Sequence, residues 1–180
     1  RSLIQVPHNF IVQEFRQQGI EIPERGEYAV GMVFLPRNAE LRQQARQQFE
    51  EIVQNEGQTV LGWRVLPVDN SDLGATAQNA EPVIEQVIIG KGELPSSDEG
   101  SSLDELAFER KLFVIRRQAE IKIRDEMPKR GSDFYIASLS SKKVIYKGMF
   151  LSTQVKSYYL DLRNELMESA IAVEIGRAHV

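Results

Sequence analysis

Serine and lysine side chains that could supply a nucleophile and a base lie close together near residue 140. Ser138, Ser140 and Ser141 directly precede Lys142 and Lys143. A lysine amine beside a serine hydroxyl can accept its proton and so activate the oxygen for attack. Polar residues of this kind more often form the tip of a β-hairpin, and we expect that role here.

A glycine-flanked lysine could mark a phosphate site. The run Gly90-Lys91-Gly92 has the composition of a loop whose amides bind phosphate, but such loops lie between a strand and a helix. Here Glu93-Leu94-Pro95 follows, which does not begin a helix. We therefore expect no phosphate site.

Two other polar groups have both a chemical and a structural interpretation. Asp69 and Asp72 could bind a cation, but no third carboxylate follows at loop spacing, so turn capping is the expected role. His8 follows Pro7 at the start of a predicted helix, where we expect a structural polar role. Neither group by itself predicts catalysis.

Cationic pairs and the single tryptophan could bind a partner. Arg110-Lys111 and Arg116-Arg117 could meet an anionic partner, although such residues more often form the solvated face of a helix. Trp63 could be a recognition residue, although a core or half-buried position is commoner. The residues alone therefore predict no catalytic, cofactor-binding or metal-binding site, only a soluble α+β domain.

Composition excludes several classes of function. The 180 residues contain no cysteine and two histidines, which excludes disulfides, zinc thiolates, iron–sulfur ligation, a cysteine nucleophile and a histidine-rich metal site. The net charge of −4 argues against a nucleic-acid partner. No apolar run reaches about 18 residues, so we expect no membrane-spanning helix and a cytoplasmic protein.

Strand and helix signals alternate along the chain. Strands are predicted at 2–6, 28–35, 59–67 and 82–89, as a hairpin over 134–146, and at the start of a further strand within 168–173. Helices are predicted after Pro7, from Asn38 to Gly57, over 73–80, over 103–126 with Ser102 as its cap, and over 153–159 after Ser152. Residues 90–102 have the composition of a mobile loop.

The longer predicted helices each have an apolar face, and the helix after Asn38 is too weak to form alone, so we expect it to pack against a sheet. In the helix after Asn38 this face consists of Leu41, Ala45, Phe49, Ile52 and Val53. In the long helix it consists of Phe108, Leu112, Ile115, Ala119 and Ile123. The strand 28–35 is apolar throughout, which is typical of burial on both faces, and Gly31 within it predicts close approach by a neighbouring backbone.

Several segments together resemble the glutamate synthase large-subunit family, in that family's order and spacing. The resemblance covers nearly all of residues 3–173. It is carried by Ile4–His8, Thr59–Asp69, Glu81–Val87, Ala107–Arg117, Phe134–Ser141 and Val144–Met149.

The resemblance implies a class II glutamine amidotransferase domain. Its expected fold is a partial N-terminal nucleophile hydrolase sandwich, an αββα arrangement of four layers with antiparallel sheets. In the family a terminal cysteine thiolate attacks the side-chain amide of glutamine, its α-amino group acts as base, and an oxyanion hole holds the intermediate. The ammonia then serves the synthesis of glutamate from 2-oxoglutarate in a glutamate synthase, an oxidoreductase.

The resemblance also implies what this chain lacks. The family's cysteine precedes the position of Arg1, and its glutamine-binding arginine and oxyanion donors follow the position of Val173. We therefore expect residues 1–173 to be an internal part of the domain, without catalytic residues and inactive alone. Residues 174–180 resemble a translated sequencing adapter, so we expect a non-native tail.

The same resemblance implies the partners and cofactors of the parent protein. Glutamine is the substrate of the complete domain, and the partners are the remaining domains of the same polypeptide. FMN and an iron–sulfur cluster belong to those other domains. The alternative is a non-catalytic α+β interaction or scaffold module derived from this domain.

Overall fold

The computed structural model describes residues 1–92, 101–126, 134–148, 151 and 153–173. Its strands are β1 (Ser2–Leu3), β2 (Tyr28–Leu35), β3 (Thr59–Val65), β4 (Val83–Gly90), β5 (Tyr135–Ser140), β6 (Val144–Ile145) and β7 (Ala172–Val173). Its helices are α1 (His8–Arg16), α2 (Ala39–Asn55), α3 (Ala75–Ala80), α4 (Ser101–Glu126), α5 (Gln154–Tyr158) and a 3-10 helix (Leu160–Arg163).

The strands form two antiparallel sheets. A four-stranded sheet has the order β3-β4-β2-β5, and a three-stranded sheet has the order β6-β1-β7. One apolar core lies between the four-stranded sheet and helices α2 and α4. A second core lies on the opposite face of that sheet, where α1, β1 and β6 pack. The described residues thus form a helix layer, a central sheet and a second layer that contains the smaller sheet, which confirms the α+β prediction.

Strand β2 is buried on both faces because it lies in the middle of the larger sheet between two apolar cores. Gly31 lies where neighbours on both sides come close; the backbone oxygen of Val87 would lie 3.7 Å from a Cβ atom here, and two side chains would lie closer still. A Cβ atom at Gly31 would lie 2.5 Å from Cγ1 of Val87 in β4 and 3.1 Å from Cδ1 of Leu139 in β5. Glycine is therefore required here by packing and not by its φ angle.

The predicted helix faces are confirmed. The side chain of Asn38 caps α2 by accepting a hydrogen bond from the backbone N–H of Leu41 at 3.0 Å. In α2 the face is buried from Ala45 to Val53, while Leu41 is partly exposed. In α4 the whole predicted face, from Phe108 to Ile123, is buried against the larger sheet.

The hairpin predicted over 134–146 is wrong. Strand β5 pairs with β2 in the larger sheet, whereas β6 pairs with β1 in the smaller sheet. Serine side chains accept the backbone hydrogen bonds that a hairpin partner strand would otherwise accept. The hydroxyl of Ser138 accepts from the N–H of Ile145, and the hydroxyl of Ser140 accepts from the N–H groups of Lys142 and Lys143. The chain therefore crosses from one layer to the other at this point.

Three other predictions concern element ends. Helix α4 begins at Ser101, so Ser102 lies within its first turn and not at the predicted cap position. Most of the predicted mobile loop, residues 93–100, and Ser152 lie outside the described residues.

Candidate functional site

The serines near residue 140 do not pair with lysine. Ser140 and Ser141 instead donate their hydroxyl protons to the carboxylate of Glu109 on α4, at 3.1 and 2.7 Å. The amine of Lys142 pairs with Glu105 at 2.9 Å. A serine nucleophile needs a basic neighbour, and here the Lys142 amine is paired with Glu105 instead. The bonds from the two serines to Glu109 join α4 to the segment that crosses between the sheets.

The glycine-flanked lysine also forms structural contacts. The backbone N–H of Lys91 donates to the carbonyl of Glu27, and the Lys91 amine pairs with the Glu27 carboxylate at 3.1 Å. The N–H of Gly92 donates to Oε1 of Gln58 at 2.9 Å. These amides already have partners, so they form no cradle for phosphate.

Asp69 and His8 have the predicted structural roles. Oδ1 of Asp69 accepts from both the N–H and the hydroxyl of Ser71, which is a turn cap. Nδ1 of His8 lies 2.9 Å from the hydroxyl of Tyr28. Burial lowers the pKa of His8 and the charge of Arg25 lowers it further, while burial raises the pKa of Tyr28 to about 12. At neutral pH the two rings thus form a neutral hydrogen-bonded pair.

Three residues of the cationic pairs of α4, Lys111, Arg116 and Arg117, take part in ion pairs within the fold. Lys111 pairs at 3.0 Å with Glu56, the residue that directly follows α2, and this hydrogen bond lowers the pKa of that carboxyl group. Arg116 and Arg117 both pair with Glu120. Lys111 therefore fastens α4 to α2.

Trp63 lies in the core, as predicted. It is 9% exposed, packs edge-on against Phe49 with ring centroids 5.5 Å apart, and donates from Nε1 to Glu50 at 2.7 Å. Its indole therefore joins β3 to α2.

The most unusual polar feature is a buried centre that the sequence analysis missed, which we call the Arg64 centre. Two guanidinium nitrogens of Arg64 on β3 donate to the two carboxylate oxygens of Asp161 in the 3-10 helix, at 2.8 and 2.6 Å. Both side chains are almost fully buried, with exposed fractions of 6% and 2%. A bidentate pair of this kind fixes direction as well as distance, so it ties the larger sheet to the second layer.

Further residues complete the Arg64 centre. Arg64 also pairs with Glu14 of α1 at 2.8 Å and donates to Oε1 of Gln86 on β4 at 3.0 Å. Gln86 in turn donates to the hydroxyl of Tyr146, which donates to Asp161 at 3.2 Å. Burial and the nearby Asp161 carboxylate raise the pKa of Tyr146 well above its usual range.

These contacts decide what the Arg64 centre can do chemically. Burial would lower the pKa of Arg64, but the hydrogen bonds and charge of Asp161 raise it, so the cation persists. The Asp161 carboxylate and the Gln86 amide are also linked to each other through the hydroxyl of Tyr146. The centre is therefore suited to holding the layers together rather than to proton transfer. The Arg64 centre is therefore a structural centre.

One sequence signal could have revealed this centre. The pair Glu85-Gln86 interrupts the apolar strand β4, and both side chains are fully buried. Alternation along a strand sends them to opposite faces. Gln86 meets Arg64 in the second core, while the oxygens of Glu85 lie 3.7 and 3.2 Å from the Nε atoms of Arg42 and Arg46 on α2.

A second geometrical feature lies at one end of the smaller sheet. Strands β1 and β7 pair in antiparallel register, with Ser2 opposite Val173 and Leu3 opposite Ala172. The backbone that enters β1 and the backbone that leaves β7 therefore lie side by side. Any segments joined there emerge next to each other.

Among the described residues no group of three or more histidine, cysteine, aspartate or glutamate side chains could hold a metal ion. An iron–sulfur cluster requires thiolate ligands, and the sequence has no cysteine, so these residues do not fit that group. Within the same described ranges, no helix has the length and apolar character needed to cross a membrane.

Comparison with known families agrees with the two sheets and their helix layer. A family model described as glutamine amidotransferases class-II matches residues 2–178. The chain belongs to this class, and its paired antiparallel sheets have the N-terminal nucleophile hydrolase type of fold.

Individual relatives are glutamate synthases. The glutamate synthase (NADPH) large chain of Bacillus subtilis is 42% identical over 175 residues, 97% of this chain and 11% of that protein. Ferredoxin-dependent glutamate synthase 2 of Synechocystis is 36% identical over 93% of this chain and 10% of that protein. The glutamate synthase (NADH) of Schizosaccharomyces pombe is 37% identical over 96% of this chain and 8% of that protein. The chain thus spans about a tenth of the length of these curated relatives.

Proposed function

We propose that this chain forms part of the glutaminase domain of a glutamate synthase, which releases ammonia from glutamine for the synthesis of glutamate from 2-oxoglutarate. The observation that carries the proposal is the pairing of Ser2 with Val173 at one end of the smaller sheet. The family resemblance assigns the cysteine nucleophile to the segment before β1 and the glutamine-binding arginine to the segment after β7.

These two groups must act on one substrate molecule. The thiolate attacks the side-chain amide of glutamine while the arginine holds its carboxylate, so both must lie within one molecule's length of each other. The antiparallel pairing of β1 with β7 supports this arrangement, because it makes the two segments neighbours.

The contribution of the described residues is to keep those segments in place. The Arg64 centre ties the larger sheet to the second layer, which contains the smaller sheet. A displacement of about 1 Å at a reacting atom can cost about 10²-fold in rate. A rigid joint between the layers is therefore a functional requirement as well as a structural one.

The 180 residues alone are expected to release no ammonia. They contain no cysteine, and removal of a nucleophile can cost about 10⁶-fold in rate. Purified chain incubated with glutamine should give the same ammonia signal as a buffer blank. Ammonia above that blank, at a rate proportional to protein concentration, would contradict this expectation.

A chimera tests the proposal itself. Residues 2–173 would replace the aligned segment of the Bacillus subtilis large chain, and ammonia release from glutamine would be measured. The matched control is the same chimera with the recipient's nucleophilic cysteine changed to alanine. We expect glutaminase activity within about tenfold of the recipient, since correctly held segments lose little of their effective concentration. A folded chimera no more active than its alanine control would overturn the proposal.

A non-catalytic scaffold or interaction module is the second candidate. Such a module would keep the two sheets and their helix layer and would need no nucleophile. The chimera distinguishes the two, since a scaffold derivative would fold in the recipient without restoring ammonia release.

A further inference from the structure

Helix α4 carries apolar side chains on two opposite faces. One face, from Phe108 to Ile123, packs on the larger sheet. The other, which we call the outer face of α4, consists of Leu106, Phe113, Val114 and Ile121, with exposed fractions of 46%, 64%, 38% and 56%. Spacings of seven and eight residues place these side chains on one side of a helix. A helix that is apolar on both sides is typical of a buried position, yet here one side is open.

The outer face is long enough for a specific contact. From Leu106 to Ile121 it extends about 22 Å along the helix. Helix α2 lies along a different flank of α4, where Glu56 pairs with Lys111 and Glu51 lies 3.8 Å from Lys122. Phe113, the most exposed member, is an aromatic side chain of the type enriched in protein interfaces.

The charges on the outer face are predominantly positive. Arg110, Arg117 and Arg124 recur every seven residues, so they run along the same side as the apolar residues. Glu120 borders this side, but it is shared between Arg117 and Arg116. A surface that covers the outer face would therefore need carboxylates around an apolar centre.

This charge pattern argues against a second copy as the occupant. In an antiparallel pair centred between residues 113 and 114, Leu106 would meet Ile121 but Arg110 would meet Arg117. In a parallel pair each arginine would face its own copy. Like charges at an interface are unfavourable, so the outer face is better suited to a different, acidic surface.

We propose that the outer face of α4 is a docking surface for an apolar surface bordered by carboxylates, on the remainder of the longer polypeptide. The source of the partner rests on the proposed function, since the relatives have about nine-tenths of their length outside the matched segment. The chemistry of the partner rests only on the residues of α4.

Photo-crosslinking in the chimera tests this docking surface. Phe113 would be replaced by benzoylphenylalanine, with Thr76, an exposed residue of α3, replaced in the control variant. We expect position 113 to give an adduct with a recipient segment that contains Asp or Glu beside apolar residues, and position 76 to give no adduct there. Arg110→Glu with Arg117→Glu should lower the adduct yield by about tenfold or more.

Several results would overturn the docking proposal. They are a folded chimera without an adduct from position 113, an adduct to α4 of another copy, and a yield unchanged by charge reversal. Glutaminase activity of the same chimera reports separately on the proposed function, so an active chimera without the adduct rejects docking alone. As a second measurement, sedimentation of the 180-residue chain should show a monomer. If the native chain forms a dimer and the Phe113→Ser variant does not, the outer face binds a second copy and the proposed partner is rejected.

Discussion

The Arg64 centre predicts that Asp161→Asn is strongly destabilising although the side chains are nearly the same size. In the native protein the two carboxylate oxygens accept from two nitrogens of Arg64. Arginine can only donate, so the new amide NH2 group would face a donor and one of the two hydrogen bonds would be lost. The buried guanidinium would also lose its most buried counter-charge.

The magnitude follows from burial. Removing one partner of a buried ion pair costs about 3–5 kcal/mol, because the remaining charge is left without compensation. Glu14 still pairs with Arg64 at 2.8 Å and is 19% exposed, so part of the charge remains balanced. We therefore expect about 3 kcal/mol of unfolding free energy to be lost. In a domain of this size each kcal/mol lowers Tm by about 2–4 °C, which gives about 6–12 °C.

The assay is urea unfolding of the 180-residue chain, followed by fluorescence of its single tryptophan, Trp63. Asp72→Asn is the matched control, because Asp72 is exposed and the same change should alter stability by less than about 0.5 kcal/mol. The variant Arg64→Met and its combination with Asp161→Asn complete a double-mutant cycle. We expect a coupling energy of about 1–3 kcal/mol, because the second change no longer leaves a charge unpaired.

Two outcomes would refute this reasoning. A loss below about 1 kcal/mol for Asp161→Asn would mean that the buried pair contributes no more than an exposed one. Strictly additive single effects in the cycle would mean that Arg64 and Asp161 do not stabilise each other.

Two further predictions concern the larger sheet. Gly31→Ala should destabilise by about 1–3 kcal/mol, because the new methyl group would lie 2.5 Å from Cγ1 of Val87. Gly74→Ala meets no atom within 4 Å and should cost less than about 1 kcal/mol, which reflects only the poorer N-cap of the short helix α3; equal effects in urea unfolding would reject the packing argument. Burial raises the pKa of Glu85 above its ordinary value of 4.5 despite two nearby arginines. This carboxyl group therefore contributes stability below about pH 4.5 that is lost as the pH rises through its folded pKa. Glu85→Gln should be more stable than the native chain at pH 8, with the difference vanishing below pH 4.5; a less stable variant at pH 8 would contradict this.

Much of the fold could be predicted from local patterns. The apolar run at 28–35 predicts a strand buried on both faces, and the spacing of apolar residues in α4 predicts its buried face, because one periodicity decides each of these elements. The interpretation of Asn38 as a helix cap rests on one side chain and one nearby amide, so it too could be reached locally.

Long-range pairing could not be predicted in this way. The segment 134–146 has the pattern of a hairpin because its two strands are adjacent in sequence, but side chains from Ser138 and Ser140 satisfy its backbone donors and leave the strands free to join different sheets. The Arg64 centre joins residues 97 positions apart. The position of Arg64 in a strand indicates that its charge needs a partner if it is buried, but nothing near it in the sequence indicates that the partner is Asp161.

The convergence of β1 and β7 is the part of the structure on which the proposed glutaminase function depends, and a disulfide tests it most directly. The chain has no cysteine, so Ser2→Cys with Val173→Cys introduces the only thiols. Residues directly opposite in an antiparallel pair have Cα atoms about 4.5–5.5 Å apart, which is within the range for a disulfide. The control pair is Ser2→Cys with Ser169→Cys, since Ser169 contacts Gln5, which lies beyond the end of β1 and up to about 10 Å from Ser2 along the chain. Under mild oxidation followed by mass spectrometry, we expect nearly complete intrachain bonding for the 2–173 pair and little for the 2–169 pair. Equal yields in the two pairs, or no bond between positions 2 and 173, would contradict the convergence of the two strands and the function proposed from it.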